Sequence, residues 1–164
     1  MVVGFSSRDL MFLLNKKYFV PLCTSLRDRG HGEKLRMWAY SRVDTANNTE
    51  NLHLIRSAGI KWLCLGIENA EKLVRMQVTK GKFEDVDIRD VVSKVHNADI
   101  EIIANYLFGL PGETRETMQK TFDLSLELST VAWNGYAAMA IPGSALYKDA
   151  LEKGYELPKD YSAY

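Results

Sequence analysis

Two cysteines in 164 residues exclude most thiol chemistry from this chain. Cys23 and Cys64 are too few and too far apart for a metal motif, and both fall in patterns that read as small buried hydrophobes. Histidine is as scarce: His31, His53 and His96 share no metal-ligand spacing, so no metal site is expected. Charge of one sign is also missing. Lys+Arg and Asp+Glu both count 21, giving zero net charge, and no basic cluster marks a nucleic-acid face. No apolar run approaches the roughly 18 residues a membrane helix needs. No signal-peptide pattern opens the sequence either, so a cytoplasmic protein without a membrane partner is expected.

What is present is ordinary globular material, 46% hydrophobic and 26% charged, long enough for one domain with a real core. Residues 1–164 read as that single domain, with an irregular tail over about 155–164. Residues 1–5 read as a strand or its end. Asn15 can cap a helix running through Arg29, with Pro21 kinking it or delaying its start. Residues 35–43, 60–67, 101–108 and 131–141 read as strands. Helices fill the gaps. Glu84 and Asp85 mark the start of one whose apolar face is Ile88, Val91, Val92 and Val95. Met118, Phe122 and Leu126 step by four along another and predict its core face. Residues 69–78 and 145–153 complete the helices, with Thr79-Lys80-Gly81 as a break after the first. Alternating strand and helix implies α/β architecture with a mostly parallel sheet or barrel.

In such architecture the carboxyl ends of the strands form one rim, where ligands bind. The rim collects Ser6, Ser7 and Asp9, then Arg42 and Asp44, then Glu68 and Asn69. It continues with Gly109-Leu110-Pro111-Gly112-Glu113 and Pro142-Gly143-Ser144. A carboxylate can accept both hydroxyls of a ribose diol, and an arginine fork pairs with a carboxylate. The set suits a polar small molecule carrying ribose, amine and carboxylate groups.

Six blocks then occur in order: Arg42-Val43-Asp44, Ala58-Gly59-Ile60, Gly66-Ile67-Glu68-Asn69, Lys80-Gly81, Phe108 through Thr114, and Pro142 through Tyr147. In order and approximate spacing they resemble the radical S-adenosylmethionine enzymes, closest to the class often preceded by a cobalamin-binding domain. The resemblance covers nearly the whole chain. It implies a partial (β/α)6 TIM-like barrel, about strands 2–6. It implies that Glu68 takes the ribose hydroxyls and that Tyr106, Gly109, Leu110, Pro111 and Gly112 line the adenine. Arg42 would meet the methionyl carboxylate, and Ser7 and Asp9 would lie near the methionyl amine, although Ser6-Ser7-Arg8-Asp9 does not match the usual acidic pair. The implied cofactors are S-adenosylmethionine and a [4Fe-4S] cluster, with cobalamin through another domain. The family holds its cluster on Cys-x3-Cys-x2-Cys, and this chain has no such triplet, so the chain alone is expected to be inactive.

Each residue has a plainer reading. Glu113 suits a helix start, and Glu68 could serve the next helix in the same way. Arg42 can pair internally with Asp44. Gly109, Gly112 and Pro142-Gly143-Ser144 can be turns. Asp123 and Glu127 read as a solvated helix face. A cluster-free S-adenosylmethionine or nucleotide-binding module is the competing function. A structural role is the other, because open sheet edges near Val2–Phe5 and Val131–Ile141 invite pairing with a second copy. An aldolase-type barrel wants a lysine or histidine at a strand end, and the rim offers neither.

Overall fold

The computed structural model describes residues 11–78 and 86–160. A short 3-10 turn, Phe12–Leu14, leads into α1 (Lys16–Asp28). Then follow β1 (Met37–Arg42), α2 (Thr49–Ser57), β2 (Ile60–Glu68), α3 (Lys72–Val78) and α4 (Ile88–Asn97). The chain continues with β3 (Glu101–Phe108), α5 (Arg115–Glu127), β4 (Ala132–Ala137) and α6 (Ala145–Glu152). The strands form one sheet in the order β1-β2-β3-β4, every pair parallel. These are the last four of the five expected strands. The first, residues 1–5, and the rim residues Ser6, Ser7 and Asp9 lie outside the described residues, as do Thr79-Lys80-Gly81, Glu84 and Asp85.

Period-two alternation explains the sheet's two faces. Ala39, Leu63, Leu65, Ile67, Ile102 and Ala104 are buried under the helices. Against them α4 places Ile88, Val91, Val92 and Val95, all buried at helical spacing as the sequence predicts. Asp87 caps that helix, accepting from the Arg89 and Asp90 amides. Trp38, Tyr40, Arg42, Cys64, Gly66, Asn105 and Asn134 fall on the opposite, open face, in the register of the parallel pairs. Both cysteines are buried, and burial pushes the Cys23 thiol up to about 11 and raises Cys64 as well.

Several expectations need correction. Asn15 precedes α1 but makes no side-chain cap bond, and Pro21 lies inside the helix rather than delaying it. The last strand is six residues, not eleven. Its final link to β3 is Ala138 N–H to the Phe108 carbonyl, after which the chain leaves the sheet. The core face of α5 is not the four-step stripe. Thr121, Leu124 and Ser125 are buried, whereas Phe122 and Leu126 are 39% and 57% exposed. Thr121 wins the inner position because its hydroxyl accepts from the Ala70 amide at 3.1 Å, tying α5 to the end of β2. Asp123 and Glu127 are solvated as read, bonded to Gln119 and Arg89.

Two tight features sit at the base of the sheet. Gly59 closes α2 with φ +105, a left-handed region that glycine adopts freely. A Cβ on Gly32 would lie 1.8 Å from the Ser57 carbonyl oxygen, closer than any real contact. Gly32→Ala must therefore push two backbone segments apart. A loss of about 1–3 kcal/mol is expected in urea denaturation, with the midpoint shifted and the slope kept. A midpoint equal to the parent's would refute the close approach.

Candidate functional site

The rim begins where β1 ends. Arg42 Nε donates to Asp44 Oδ1 at 2.8 Å and Nη2 donates to Asp44 Oδ2, a bidentate ion pair. Beneath it the Ser41 and Thr45 hydroxyls are 2.8 Å apart, and Thr45 donates to the Arg42 carbonyl. The internal pairing of Arg42 is thus formed, and it holds the guanidinium at the rim beside a polar cleft of about 380 Å³ reaching Asn47, Asn48 and Asn51.

At the end of β2 the register slips between Gly66 and Glu68, and Glu68 takes φ +68. A bulge with a non-glycine left-handed residue is a costly backbone state. It re-aims the side chain: the Glu68 carboxylate lies over Gly66, 2.7 Å from where a Cβ would stand. Gly66 is the register partner of Arg42, so the carboxylate occupies the open face next to that charge. Burial raises the Glu68 pKa above the usual carboxylate range, and Arg42 pulls it partly back. No hydrogen bond satisfies this carboxylate among the described residues. A strained, half-buried, unpartnered acid on a ligand rim is the most informative local feature of the site.

Asn69 follows and is fully buried. Its side-chain amide donates to Glu113 Oε1 and, at 3.4 Å, to the Leu107 carbonyl, while its oxygen accepts from the Glu71 amide at 2.9 Å. Glu113 Oε2 in turn accepts from the Leu110 amide at 2.8 Å. Arg75, buried beneath, donates to the Asn69 and Ala70 carbonyls at 2.7 Å. Glu113 is therefore a brace between two strand-end loops, a role beside the helix-start and ligand readings of the sequence. Gly109 and Gly112, both at φ +81, give the loop between β3 and α5 its reversal. Thr114 and Thr117 then close a reciprocal capping box on α5. At the last rim position Ser144 caps α6, accepting from the Tyr147 amide at 3.1 Å.

Tyr106 lies elsewhere. Its ring is fully buried on the helix-covered face, edge-on to Trp133 at 6.2 Å. The hydroxyl is buried without a partner among the described residues, and burial pushes its pKa up to about 12. Only its backbone remains available to the rim. The open-face residues that sequence reasoning missed are Asn105 and Asn134, joined amide to amide at 3.0 Å. Register places them in one row with Arg42 and Gly66. Their signal was a polar residue interrupting each strand, but its face depends on register.

No family model matches the chain. Its curated relatives include the anaerobic magnesium-protoporphyrin IX monomethyl ester cyclase of Cereibacter sphaeroides, 26% identical over 152 residues, 92% of this chain and 24% of that protein. The tryptophan 2-C-methyltransferase of Streptomyces laurentii is 30% identical over 125 residues, 73% of this chain and 21% of that protein. Among solved structures, the radical S-adenosylmethionine methyltransferase TsrM from Kitasatospora setae, with cobalamin and a [4Fe-4S] cluster bound, matches with TM-score 0.68. It is 22% identical, over 77% of this chain and 26% of that one. Coproporphyrinogen III oxidase (HemN) from Escherichia coli, a radical SAM enzyme, matches with TM-score 0.62 and 17% identity, over 79% and 30% of the two chains. The fold is thus similar to part of the barrel in these radical S-adenosylmethionine enzymes. The chain spans about a quarter of the length of the first curated relative it matches.

Proposed function

We propose that this chain supplies the ribose and adenine side of an S-adenosylmethionine site within a radical S-adenosylmethionine enzyme. The observation that carries the reading is Glu68: a bulge and a left-handed backbone aim its unpartnered carboxylate onto the open face over Gly66. A diol offers that acid the two donors it lacks. The backbone of residues 106–112 closes the adenine side. Arg42, held by Asp44, faces the methionyl carboxylate, and Ser7 and Asp9 stand for the methionyl amine.

The residues fit the nucleoside but not a cluster. The whole sequence has two cysteines, both buried, and no group of three His, Cys, Asp or Glu side chains among the described residues could hold a metal ion. No electron-transfer step is therefore assigned to this chain. Any cluster or cobalamin belongs to parts of the full enzyme beyond the span its relatives share with it. The missing thiolates also favour a second reading, a cluster-free module that binds S-adenosylmethionine or another nucleotide.

Calorimetry with S-adenosylhomocysteine is expected to show binding, and adenosine should retain part of it. Anaerobic reconstitution with iron and sulfide should yield no four-iron absorption and no 5′-deoxyadenosine on addition of reductant. Absent binding of both nucleosides would remove the nucleoside reading. A formed cluster with product would remove the assignment of cluster ligands elsewhere.

A further inference from the structure

Below the rim, the open face of the sheet carries side chains that the nucleoside reading does not use. Register stacks them in layers. Trp38 and Trp62 are partners in the lowest layer, toward the amino ends of the strands. Tyr40 and Cys64 stand above them, level with Ile103 and Ala132. Next comes the row of Arg42, Gly66 and the bonded pair Asn105 and Asn134, and Tyr136 lies one layer higher on β4. Parallel barrels normally fill this face with bulky branched aliphatics. In the two layers above the indoles these four strands supply one, Ile103, beside a cysteine, an alanine, a glycine and two asparagines. Such a wall is shaped to line a space, not to pack against more protein. Its side chains share that space. Burial raises the Tyr40 hydroxyl above the usual phenol range, and the nearby Cys64 and Tyr136 groups raise it further.

We propose that this wall seats the second reactant, a planar, uncharged heteroaromatic molecule, beneath the nucleoside. Its standing as second reactant rests on the nucleoside reading of the rim; its chemical class rests on the wall itself. The Tyr40 layer carries no charged side chain, so an ionic group seated there would lose water and find no counter-charge. The small side chains at 64, 66 and 132 leave room. The rings choose the shape. Trp38 meets Tyr40 edge-on at 5.0 Å, and Tyr136 brings a further ring from β4. Ring faces and edges reward a flat π-system over a saturated one. The asparagines choose the polar groups. Asn134 donates to the Asn105 side-chain oxygen at 3.0 Å. Among the described residues that bond leaves the Asn105 amide hydrogens and the Asn134 side-chain oxygen for a ligand. A ring carbonyl beside a ring N–H answers both. Register sets which way these side chains point, whatever closes the rest of the wall.

Titration with carbostyril, a flat fused lactam, followed by nuclear magnetic resonance tests the proposal. Saturable shifts are expected at the Asn105 and Asn134 side-chain amides and at the Trp38 indole N–H. The ring-saturated (decahydro) lactam should bind about tenfold more weakly. Tyr40→Leu should weaken the flat probe about three- to tenfold while S-adenosylhomocysteine affinity holds. Tyr40 is 39% exposed, so an unchanged amide spectrum away from the wall separates lost binding from lost folding. Tyr136→Leu repeats the comparison from another strand. The titration is run with and without S-adenosylhomocysteine, and the probe should bind in both conditions. If the homocysteine compound fails to bind while the probe still does, the nucleoside reading falls and the flat-ring seat stands. Competition between probe and adenosine would make the wall part of the adenine site. That result, equal affinity for the saturated lactam, or no saturable shift would overturn the inference.

Discussion

Asn69→Ala is expected to cost about 2–4 kcal/mol in urea denaturation, and to loosen both strand-end loops of the site. The size comes from what the substitution leaves behind. Asn69 is fully buried, and its amide joins Glu113 while its oxygen holds the Glu71 amide. Truncation removes three bonds and strands an acid whose other oxygen still holds Leu110. A buried acceptor left unpaired costs more than the bond was worth. Asn69→Asp makes the argument sharper. It keeps the acceptor toward Glu71 but places a second carboxylate against Glu113, so it should be at least as damaging at neutral pH and recover on acidification. Hydrogen exchange should show faster amides in residues 109–113 in both variants. A loss below about 0.5 kcal/mol with unchanged exchange would mean the brace is ornamental.

Much of this could be read before the structure, and the failures share a cause. Residues 101–108 stand as a strand with the predicted bounds because a mostly apolar run, Ile102-Ile103-Ala104 and Tyr106-Leu107-Phe108 broken by Asn105, fills the span from a helix end to Gly109. The apolar face of α4 was legible for the same reason: four aliphatic residues repeat at helical spacing with no rival stripe. On α5 two stripes compete. Hydropathy selects Met118, Phe122 and Leu126, but the core takes Thr121, whose value lies in a hydrogen bond to a distant amide. For Tyr106 the resemblance implies adenine lining mainly through backbone and apolar contact, and strand parity turns its ring to the helices, as a core or barrel-lining residue. Asn69, Asn105 and Asn134 could not be ranked from sequence, because each depends on which neighbour another strand brings alongside. Local pattern fixes elements, while site partners arise from register and long-range bonds.

Glu68 is where stability and function should move in opposite directions. Glu68→Gln is expected to weaken S-adenosylhomocysteine binding about 10- to 100-fold, the usual worth of hydrogen bonds to a charged acceptor. The same variant should make the unliganded chain more stable at neutral pH. Burial raises the folded pKa of this acid above its unfolded value, with Arg42 only partly opposing. The folded state then holds more protons than the unfolded state between those two values. Its stability falls as pH rises through that window and stays lower above it. A neutral amide escapes the penalty, so the advantage of Gln over Glu should shrink on acidification. Binding by the parent should follow the carboxylate instead, falling as pH drops through the raised pKa. Glu68→Gly provides the control. It relieves the φ +68 backbone and removes the acid, so any stability it gains beyond Gln reports strain at the bulge. If Gln destabilises the chain and binds like the parent, Glu68 is a helix-start acid and the ribose assignment fails. If Gln stabilises while binding collapses, the strain and desolvation at Glu68 are the cost of presenting an unpaired acid to a diol.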